Sequence, residues 1–272
     1  MASYQIALIP GDGVGGEITE EAIRVLDAAA EIHGFDVSTE TFDWSCDRYL
    51  EVGAMMPENA LETLAGFDSI FLGCIGDANK VDDHISLTML LAIRKGFDHY
   101  VNQRPIKLYP GVYSPISTAN PATVDILVIR ENTEGEYSSN GGIFKRGTPD
   151  AVALQTGVFT WKGCERAIRY GFEMARRRNK MGGSPAGRVT NCTKSNALNY
   201  SMVFWDEVFD HVAADFPDVS TDMALVDALT MWFVKNPDWF DVVVVSNLFG
   251  DIITDLGAML QGGFGFAAGG NV

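Results

Sequence analysis

Short apolar runs alternate with longer amphipathic segments along the chain. The runs at residues 4–10, 69–74 and 241–246 are hydrophobic at almost every position, which is typical of strands covered on both faces. Between them, hydrophobic residues recur at helical spacing. This alternation predicts an α/β fold. The predicted strands are 4–10, 36–42, 69–74, 124–130, 188–192 and 241–246, and the predicted helices are 17–33, 60–65, 87–100, 164–178 and 198–215.

Composition narrows the class of protein. Of the 272 residues, 47% are hydrophobic, which is too large a share for a disordered or collagen-like chain. The apolar runs are shorter than the roughly 20 residues that a transmembrane helix requires. The formal charge of −16 disfavours nucleic acid and anionic membranes as partners, because both attract clustered cations. The one basic cluster, residues 176–180, is interpreted as a solvated helix end.

The cysteine spacing and the first residues of the chain indicate the cellular compartment in which we expect the protein. The four cysteines form no CxxC pair, so neither a disulfide framework nor a zinc site is indicated. The first residues lack the charged and then apolar pattern of a targeting leader. We therefore expect a cytoplasmic protein with reduced thiols.

A glycine-rich turn follows the first predicted strand. Residues 11–16 read Gly-Asp-Gly-Val-Gly-Gly, which satisfies the GxGxxG pattern of a dinucleotide-binding turn. However, Asp12 would place a negative charge beside the phosphates. The acidic residue expected after the second strand is ambiguous among Glu40, Asp43 and others. The sequence favours a glycine-rich turn that lines a cleft over a Rossmann fingerprint.

Three arginines are candidates for binding carboxylates. The planar guanidinium of Arg94, Arg104 or Arg130 suits a bidentate contact with a carboxylate, although an arginine taken alone is more often part of a surface ion pair. Arg130 ends an apolar strand and is followed by a dense polar segment. Because open α/β sheets bind ligands at the carboxyl ends of their strands, Arg130 is the best placed of the three.

Two carboxylates lie near the start of the last predicted helix. Asp251 and Asp255 are four positions apart, which places them on one helix face about 5–6 Å apart. One interpretation is a pair of helix-start carboxylates favoured by the helix dipole. The other is a divalent cation, and oxygen ligands without His or Cys select Mg²⁺ or Mn²⁺. The sequence alone leaves both open.

Two further residues are weaker candidates. Lys194 follows the strand at 188–192 among small polar residues, where a depressed pKa would make it a base. An ordinary surface lysine is the commoner explanation. Asp227 interrupts an apolar helical stretch, and a capped or exposed carboxylate explains it as simply.

These segments together resemble a known family. IPGDGVG, NQRP, RENTEGEY, CTKSNAL and NLFGDIITD occur in the order found in the metal-dependent decarboxylating β-hydroxyacid dehydrogenases. That family includes isopropylmalate, isocitrate, tartrate and D-malate dehydrogenases, and the resemblance extends from Ile6 to Gly270. It implies a two-lobed α/β fold whose central sheet is shared by two domains, without a Rossmann fingerprint. The expected domains are residues 1–105 with 256–272, incomplete at the C-terminus, and residues 106–255.

The resemblance also implies roles for individual residues. The arginines look like the substrate-carboxylate clamp, Tyr137 like the catalytic acid and Lys194 like the catalytic base. Lys194 and Asp227 would come from the partner subunit of a homodimer. The implied site residues are Arg94, Arg104, Arg130 and Asn196 for substrate, Asp227, Asp251 and Asp255 for the metal, and Phe264 and Gly265 for the cofactor.

The implied reaction is the oxidation and decarboxylation of a small 2-hydroxy diacid. The implied cofactors are NAD, with NADP left open, Mn²⁺ or Mg²⁺, and in addition a monovalent cation in some members. The chain ends at Val272, before the family's main adenosine-binding segment, so we expect the C-terminal part to be missing.

Segments around the predicted first helices favour one branch of the family. Asp-His-Ile-Ser-Leu at residues 83–87 resembles the tartrate/D-malate branch, which we take as the expected specificity. Leu90 and Leu91 could instead contact an alkyl group, as a 3-isopropylmalate dehydrogenase requires. A third hypothesis is a non-catalytic regulatory or truncated paralogue, although the chain retains every arginine, lysine, tyrosine and aspartate that such a paralogue would have lost.

Overall fold

The computed structural model describes residues 2–180 and 187–272. The chain divides into two compact units between Phe97 and Asp98. The first unit combines helices with parallel strands, and the second combines helices with both parallel and antiparallel strands, so the predicted α/β class is confirmed. No helix in the described part of the chain is both long and apolar enough to cross a membrane.

The first unit is built on a parallel three-stranded sheet in the order β2-β1-β3. Its core contains Ala7 and Ile9 of the central strand, which are fully buried with apolar side chains of the surrounding helices. The helices and strands of this unit are β1 (Ser3–Gly11), α1 (Gly15–His33), β2 (Asp36–Thr41), α2 (Cys46–Val52), α3 (Ala60–Leu64), β3 (Ser69–Cys74) and α4 (Asp83–Gly96).

The second unit contains a six-stranded sheet and a separate two-stranded ribbon. Its strands are β4 (Val101–Lys107), β5 (Asp125–Glu131), β6 (Gly135–Phe144), β7 (Val152–Val158), β8 (Arg188–Thr193), β9 (Ser220–Leu225), β10 (Val242–Val245) and β11 (Gly270–Asn271). Its helices are α5 (Trp161–Lys180), α6 (Ser201–Ala213), α7 (Val226–Lys235) and α8 (Asn247–Leu260), with 3-10 turns at Pro237–Trp239 and Phe264–Phe266.

The central sheet has the strand order β11-β4-β5-β10-β8-β9. Strands β5, β10, β8 and β9 are parallel, whereas β4 is antiparallel to both of its neighbours. All four valines of β10 are fully buried, and they alternate between two apolar cores on opposite faces of the sheet. The continuous valine run of the sequence is therefore explained by cover on both faces.

The two compact units and the predicted domains divide the chain at different places, and the domain assignment stays a prediction. Residues 101–107 form β4, whereas the predicted domain boundary lies between residues 105 and 106. Residues 256–272, which the prediction assigns to the first domain, belong to the second compact unit. The cause is local pairing: β11 pairs with β4, and Val272 and Val101 exchange backbone hydrogen bonds of 2.9 and 3.1 Å.

The basic cluster at residues 176–180 is not simply a solvated helix end. Arg178 Nε donates to the fully buried Asp241 at 2.6 Å, and its Nη2 donates to the Asp125 carbonyl at 2.6 Å. Arg176 pairs with Asp218. The side chains of residues 179 and 180 lie outside the described part of the structure. The solvated interpretation is therefore wrong for Arg178, whose carboxylate partners are distant in sequence, whereas Arg176 forms an ion pair that is open to solvent.

Candidate active site

Arg130 lies at the carboxyl end of β5 and is almost completely buried, with 3% of its side chain exposed. Its Nη1 donates to Asp251 Oδ1 at 2.5 Å. Its Nε and Nη2 both donate to Asn247 Oδ1, at 3.0 and 2.8 Å. The prediction that Arg130 follows a buried strand is confirmed, and the side chain is held from two positions of α8.

Tyr137 joins this arginine through the same carboxylate. It lies on β6, and its hydroxyl donates to Asp251 Oδ2 at 2.8 Å. Its ring centroid lies 5.6 Å from the guanidinium carbon of Arg130, which is within cation–π range. A cation, a phenol and a carboxylate thus form one contiguous cluster.

A buried carboxylate shapes the turn between Arg130 and Tyr137. Glu131 is 3% exposed and accepts hydrogen bonds from Thr133 N and Oγ1, both at 2.8 Å, and from Glu134 N at 3.0 Å. Burial raises the pKa of Glu131, because the charged form loses its hydration. Glu134 in turn accepts hydrogen bonds from the Thr160 amide and hydroxyl. The polar segment after β5 is therefore an ordered turn.

The two predicted metal-binding carboxylates lie on α8. Burial, and after it the neighbouring Asp251, raise the pKa of Asp255. Gly250 leaves room for the arginine, because a Cβ there would lie 2.6 Å from Arg130 Cγ. Two carboxylates one helical turn apart, of which Asp251 raises the pKa of Asp255, suit a hard divalent cation such as Mg²⁺ or Mn²⁺. Asp251 and Asp255 therefore fit such a site as two of its ligands.

Lys194 and Asp227 form a second, separate pair. Lys194 Nζ lies 2.8 Å from Asp227 Oδ1, and the Asp227 side chain is 65% exposed. The hydrogen bond from Lys194 lowers the pKa of Asp227. Within residues 2–180 and 187–272, no three carboxylate, histidine or cysteine side chains come together as a metal site. The structure of one chain thus keeps Asp227 apart from Asp251 and Asp255.

The other two predicted arginines have different surroundings. Arg104 lies on β4, and its Nε donates to Asn102 Oδ1 at 2.5 Å. Burial, and then the nearby Arg130, lower the pKa of Arg104. Arg94 is buried near the end of α4 in the first unit. Its part in a carboxylate clamp stays a prediction of the resemblance.

The remaining predicted residues are accessible. Asn196 lies in an exposed turn after β8. Phe264 is 68% exposed, and a Cβ built on Gly265 would meet no atom within 4 Å. The two residues do not by themselves build a cradle for a dinucleotide, so their contact with a cofactor also stays a prediction.

The glycine-rich turn has a structural explanation. Asp12 is buried, and its two carboxylate oxygens accept hydrogen bonds from the backbone N–H groups of Cys46 and Gly76, both at 2.9 Å. A Cβ on Gly15 would lie 1.9 Å from the Pro10 carbonyl oxygen, so only glycine lets α1 pack this closely on β1. The carboxylate thus joins three segments of the first unit, which gives the acidic residue in the turn a structural role.

The buried amide of Asn247 is a site residue that was not predicted from the sequence. Asn247 is 2% exposed and contacts both Arg130 and the Glu134 carbonyl. Its position four residues before Asp251, on the same helix face, is the signal that could have identified it.

Comparisons with known proteins find dehydrogenases of one family. The isocitrate/isopropylmalate dehydrogenase family profile matches residues 5–272. The chain is 47% identical to the probable tartrate dehydrogenase/decarboxylase of Bacillus subtilis strain 168, over all of this chain and 75% of that protein. It is also 47% identical to the D-malate dehydrogenase (decarboxylating) of Escherichia coli K12, over all of this chain and 74% of that protein.

Two further similarities extend this picture. The chain is 43% identical to the 3-isopropylmalate dehydrogenase of Thermobifida fusca, over 99% of this chain and 75% of that protein. Isocitrate dehydrogenase from Methylococcus capsulatus superimposes with a TM-score of 0.85 at 32% identity, over 99% of this chain and 74% of that one. The chain thus spans about three quarters of the length of each of these proteins.

Proposed function

Because the chain belongs to the isocitrate/isopropylmalate dehydrogenase family, we propose that it oxidises and decarboxylates tartrate or D-malate. The predicted family and fold are confirmed, and the protein is an oxidoreductase of the decarboxylating type that acts on a CH–OH group. The choice among diacids, the use of NAD and the metal dependence are the proposed part. The two relatives at 47% identity support the choice of tartrate or D-malate.

One observation carries the proposal: the cluster of Arg130, Asp251 and Tyr137. A buried guanidinium can bind a substrate carboxylate, and its charge cannot be lost to deprotonation. The phenol lies within one hydrogen bond of the carboxylate that is expected to hold the metal. Carboxylate binding, proton donation and cation binding are therefore available within a single cluster.

The residues have distinct tasks in the proposed reaction. Arg130 and Arg104 orient the diacid, and the partner subunit's Lys194 accepts the proton of the substrate hydroxyl. The Tyr137 hydroxyl donates a proton to the carbon from which CO₂ has left. When bound, the divalent cation held by Asp251, Asp255 and the partner's Asp227 supplies electrostatic stabilisation of negative charge, and NAD supplies the acceptor for the hydride.

A homodimer is part of the proposal, because one chain does not bring the three aspartates together. Helices α7 and α8 leave large apolar side chains exposed, such as Met231 at 71% and Ile252 at 55%. A second copy that covers these side chains would bury apolar surface, as obligate interfaces do. The exposed Lys194–Asp227 pair is free to contribute to such a shared site.

3-Isopropylmalate is the second candidate substrate. The Thermobifida fusca relative supports it at 43% identity, and Leu90 and Leu91 on α4 are only partly buried. Both could contact an alkyl group, which tartrate and D-malate lack.

Initial rates of NADH formation with Mn²⁺ test the proposal. D-Malate, L-tartrate and 3-isopropylmalate are compared, with the Asp251→Asn chain as the inactive control. We expect the highest kcat/KM with D-malate or tartrate. A preference above about tenfold for 3-isopropylmalate, worth roughly 1.4 kcal/mol, would favour the second candidate. No turnover of any diacid would point to a non-catalytic paralogue.

A further inference from the structure

We propose that Asn247 is a positioning residue, which sets the orientation of Arg130 and the turn before Tyr137 through one buried side chain. The inference rests on the proposed function only in taking Arg130 as a ligand of the substrate carboxylate. The amide lies in the first turn of α8, four residues before Asp251. It is 2% exposed, so water does not compete for its hydrogen bonds.

The oxygen of this amide fixes the rotation of the guanidinium. Arg130 Nε and Nη2 both donate to Asn247 Oδ1, at 3.0 and 2.8 Å. Arg130 Nη1 donates to Asp251 Oδ1 at 2.5 Å. A guanidinium has five N–H donors, and these contacts use three. One N–H on Nη1 and one on Nη2 take no part in these three contacts, and a carboxylate can accept hydrogen bonds from them. Two anchors at different nitrogens prevent the group from rotating.

The nitrogen of the same amide holds the turn that leads to Tyr137. Asn247 Nδ2 donates to the Glu134 carbonyl at 3.0 Å. The next residue, Gly135, has a φ of +70°, and a Cβ there would lie 3.3 Å from Asn247 Cβ. The backbone therefore approaches the asparagine closely at the first residue of β6. A change at Asn247 should disturb the binding of the diacid and the placement of the phenol together.

The choice of an amide over other side chains follows from these contacts. A buried asparagine accepts from the arginine and donates to a carbonyl at the same time. An aspartate would lose the donor and place a second carboxylate against Arg130, where it would compete with the substrate. An alanine would leave buried N–H groups of a cation without an acceptor, at a cost in stability and in order.

Calorimetric binding of diacids tests the inference without turnover. D-Malate, L-tartrate and 3-isopropylmalate are titrated into the unaltered chain and Asn247→Ala, both with Mn²⁺. We expect Asn247→Ala to weaken binding of the preferred diacid by about tenfold. The matched control is Asn191→Ala, because Asn191 is equally buried and its amide bonds Asp206 and Trp205 at 2.8 Å. The control should lose stability without losing affinity, and an equal loss of affinity would overturn the inference.

A double-mutant cycle shows whether Asn247 acts through Arg130. In an Arg130→Lys background, which lacks the planar fork, Asn247→Ala should weaken binding by less than about twofold. Additive effects, or unchanged binding in Asn247→Ala itself, would overturn the proposal.

The Nε–H resonance of Arg130, recorded with ¹⁵N-labelled arginine, gives a measurement that needs no substrate. It should be sharp and slow to exchange in the unaltered chain and lost in Asn247→Ala. Retention of the resonance would overturn the positioning role. If the unaltered chain binds none of the diacids, the proposed function fails, and the resonance alone decides this inference.

Discussion

Replacement of Asp251 by asparagine separates the chemical role of this residue from its structural one. The substitution keeps the size of the side chain and removes its charge. The unaltered carboxylate accepts from Arg130 at 2.5 Å and from the Tyr137 hydroxyl at 2.8 Å. An asparagine offers one oxygen, so it can accept one of these hydrogen bonds well. The exchange of one atom therefore affects the Arg130 guanidinium, the Tyr137 phenol and the proposed metal site.

The contacts limit the expected loss of stability. A neutral hydrogen bond contributes about 1 kcal/mol, and one to a charged group about 1.5–3 kcal/mol. The Asp251 side chain is 44% exposed, so water screens part of this interaction. We therefore expect a loss of about 2 kcal/mol, which lowers Tm by roughly 4–8 °C. The expected loss of kcat is much larger, at least about 10²-fold, because a preorganised charge at the reacting centre is removed.

Two measurements check this expectation. Thermal unfolding with and without Mn²⁺ reports metal binding, because a ligand of the folded state raises Tm. NADH formation with the preferred diacid reports turnover. The control is Asp218→Asn. This substitution removes a carboxylate that pairs with the half-exposed Arg176 and is not one of the proposed site residues. If Mn²⁺ raises the Tm of Asp251→Asn as much as that of the unaltered chain, and turnover is unchanged, Asp251 is not a metal ligand.

Three further predictions follow from the site. Mixing Lys194→Ala with Asp251→Asn should restore about a quarter of the unaltered activity, because hybrid dimers of two-fold symmetry contain one complete shared site; an inactive mixture would contradict the shared site. Glu131→Gln should be more stable than the unaltered chain at about pH 8, because burial raises the pKa of Glu131 above its ordinary 4.5. That advantage should shrink as the pH falls toward 4.5 and should be absent below 4.5, and urea unfolding that gives the same difference at pH 8 and at about pH 4 would refute it. Gly250→Ala should cost about 1–3 kcal/mol and weaken diacid binding in calorimetry, because its Cβ would lie 2.6 Å from Cγ of the buried arginine; unchanged affinity would show that the arginine moves without consequence.

The sequence predicts best where burial leaves a periodic signature. The strand at 69–74 has the predicted bounds, and the valine run of β10 lies at the centre of the sheet. The placement of Arg130 at the end of β5 also followed from a local pattern, an apolar run that ends in a charged residue. The spacing of Asp251 and Asp255 needed only the helical period.

The missed features depend on distant partners. Strand β4 is rich in polar residues and contains Pro105, which the antiparallel pairing with β5 accommodates. The β6–β7 ribbon is glycine-rich and mostly exposed, so it has no apolar period to detect. The contact of Asn247 with Arg130 joins positions 117 residues apart in the sequence. No local pattern contains such a pair, whereas the family resemblance finds the segments but not their hydrogen bonds.

The central position of β10 has a consequence for the motions of the site. Its four valines are fully buried, it pairs with β5 and β8, and α8 begins two residues after it ends. Amide groups in such a strand exchange with solvent only in large-scale unfolding. Asp251 and Asn247 thus lie on the helix that follows the strand in which we expect the slowest exchange of the second unit. We expect opening of the exposed β6–β7 ribbon to release Tyr137 while the carboxylate and the guanidinium stay in place, so that the proton donor and the charged groups would unfold in different cooperative steps.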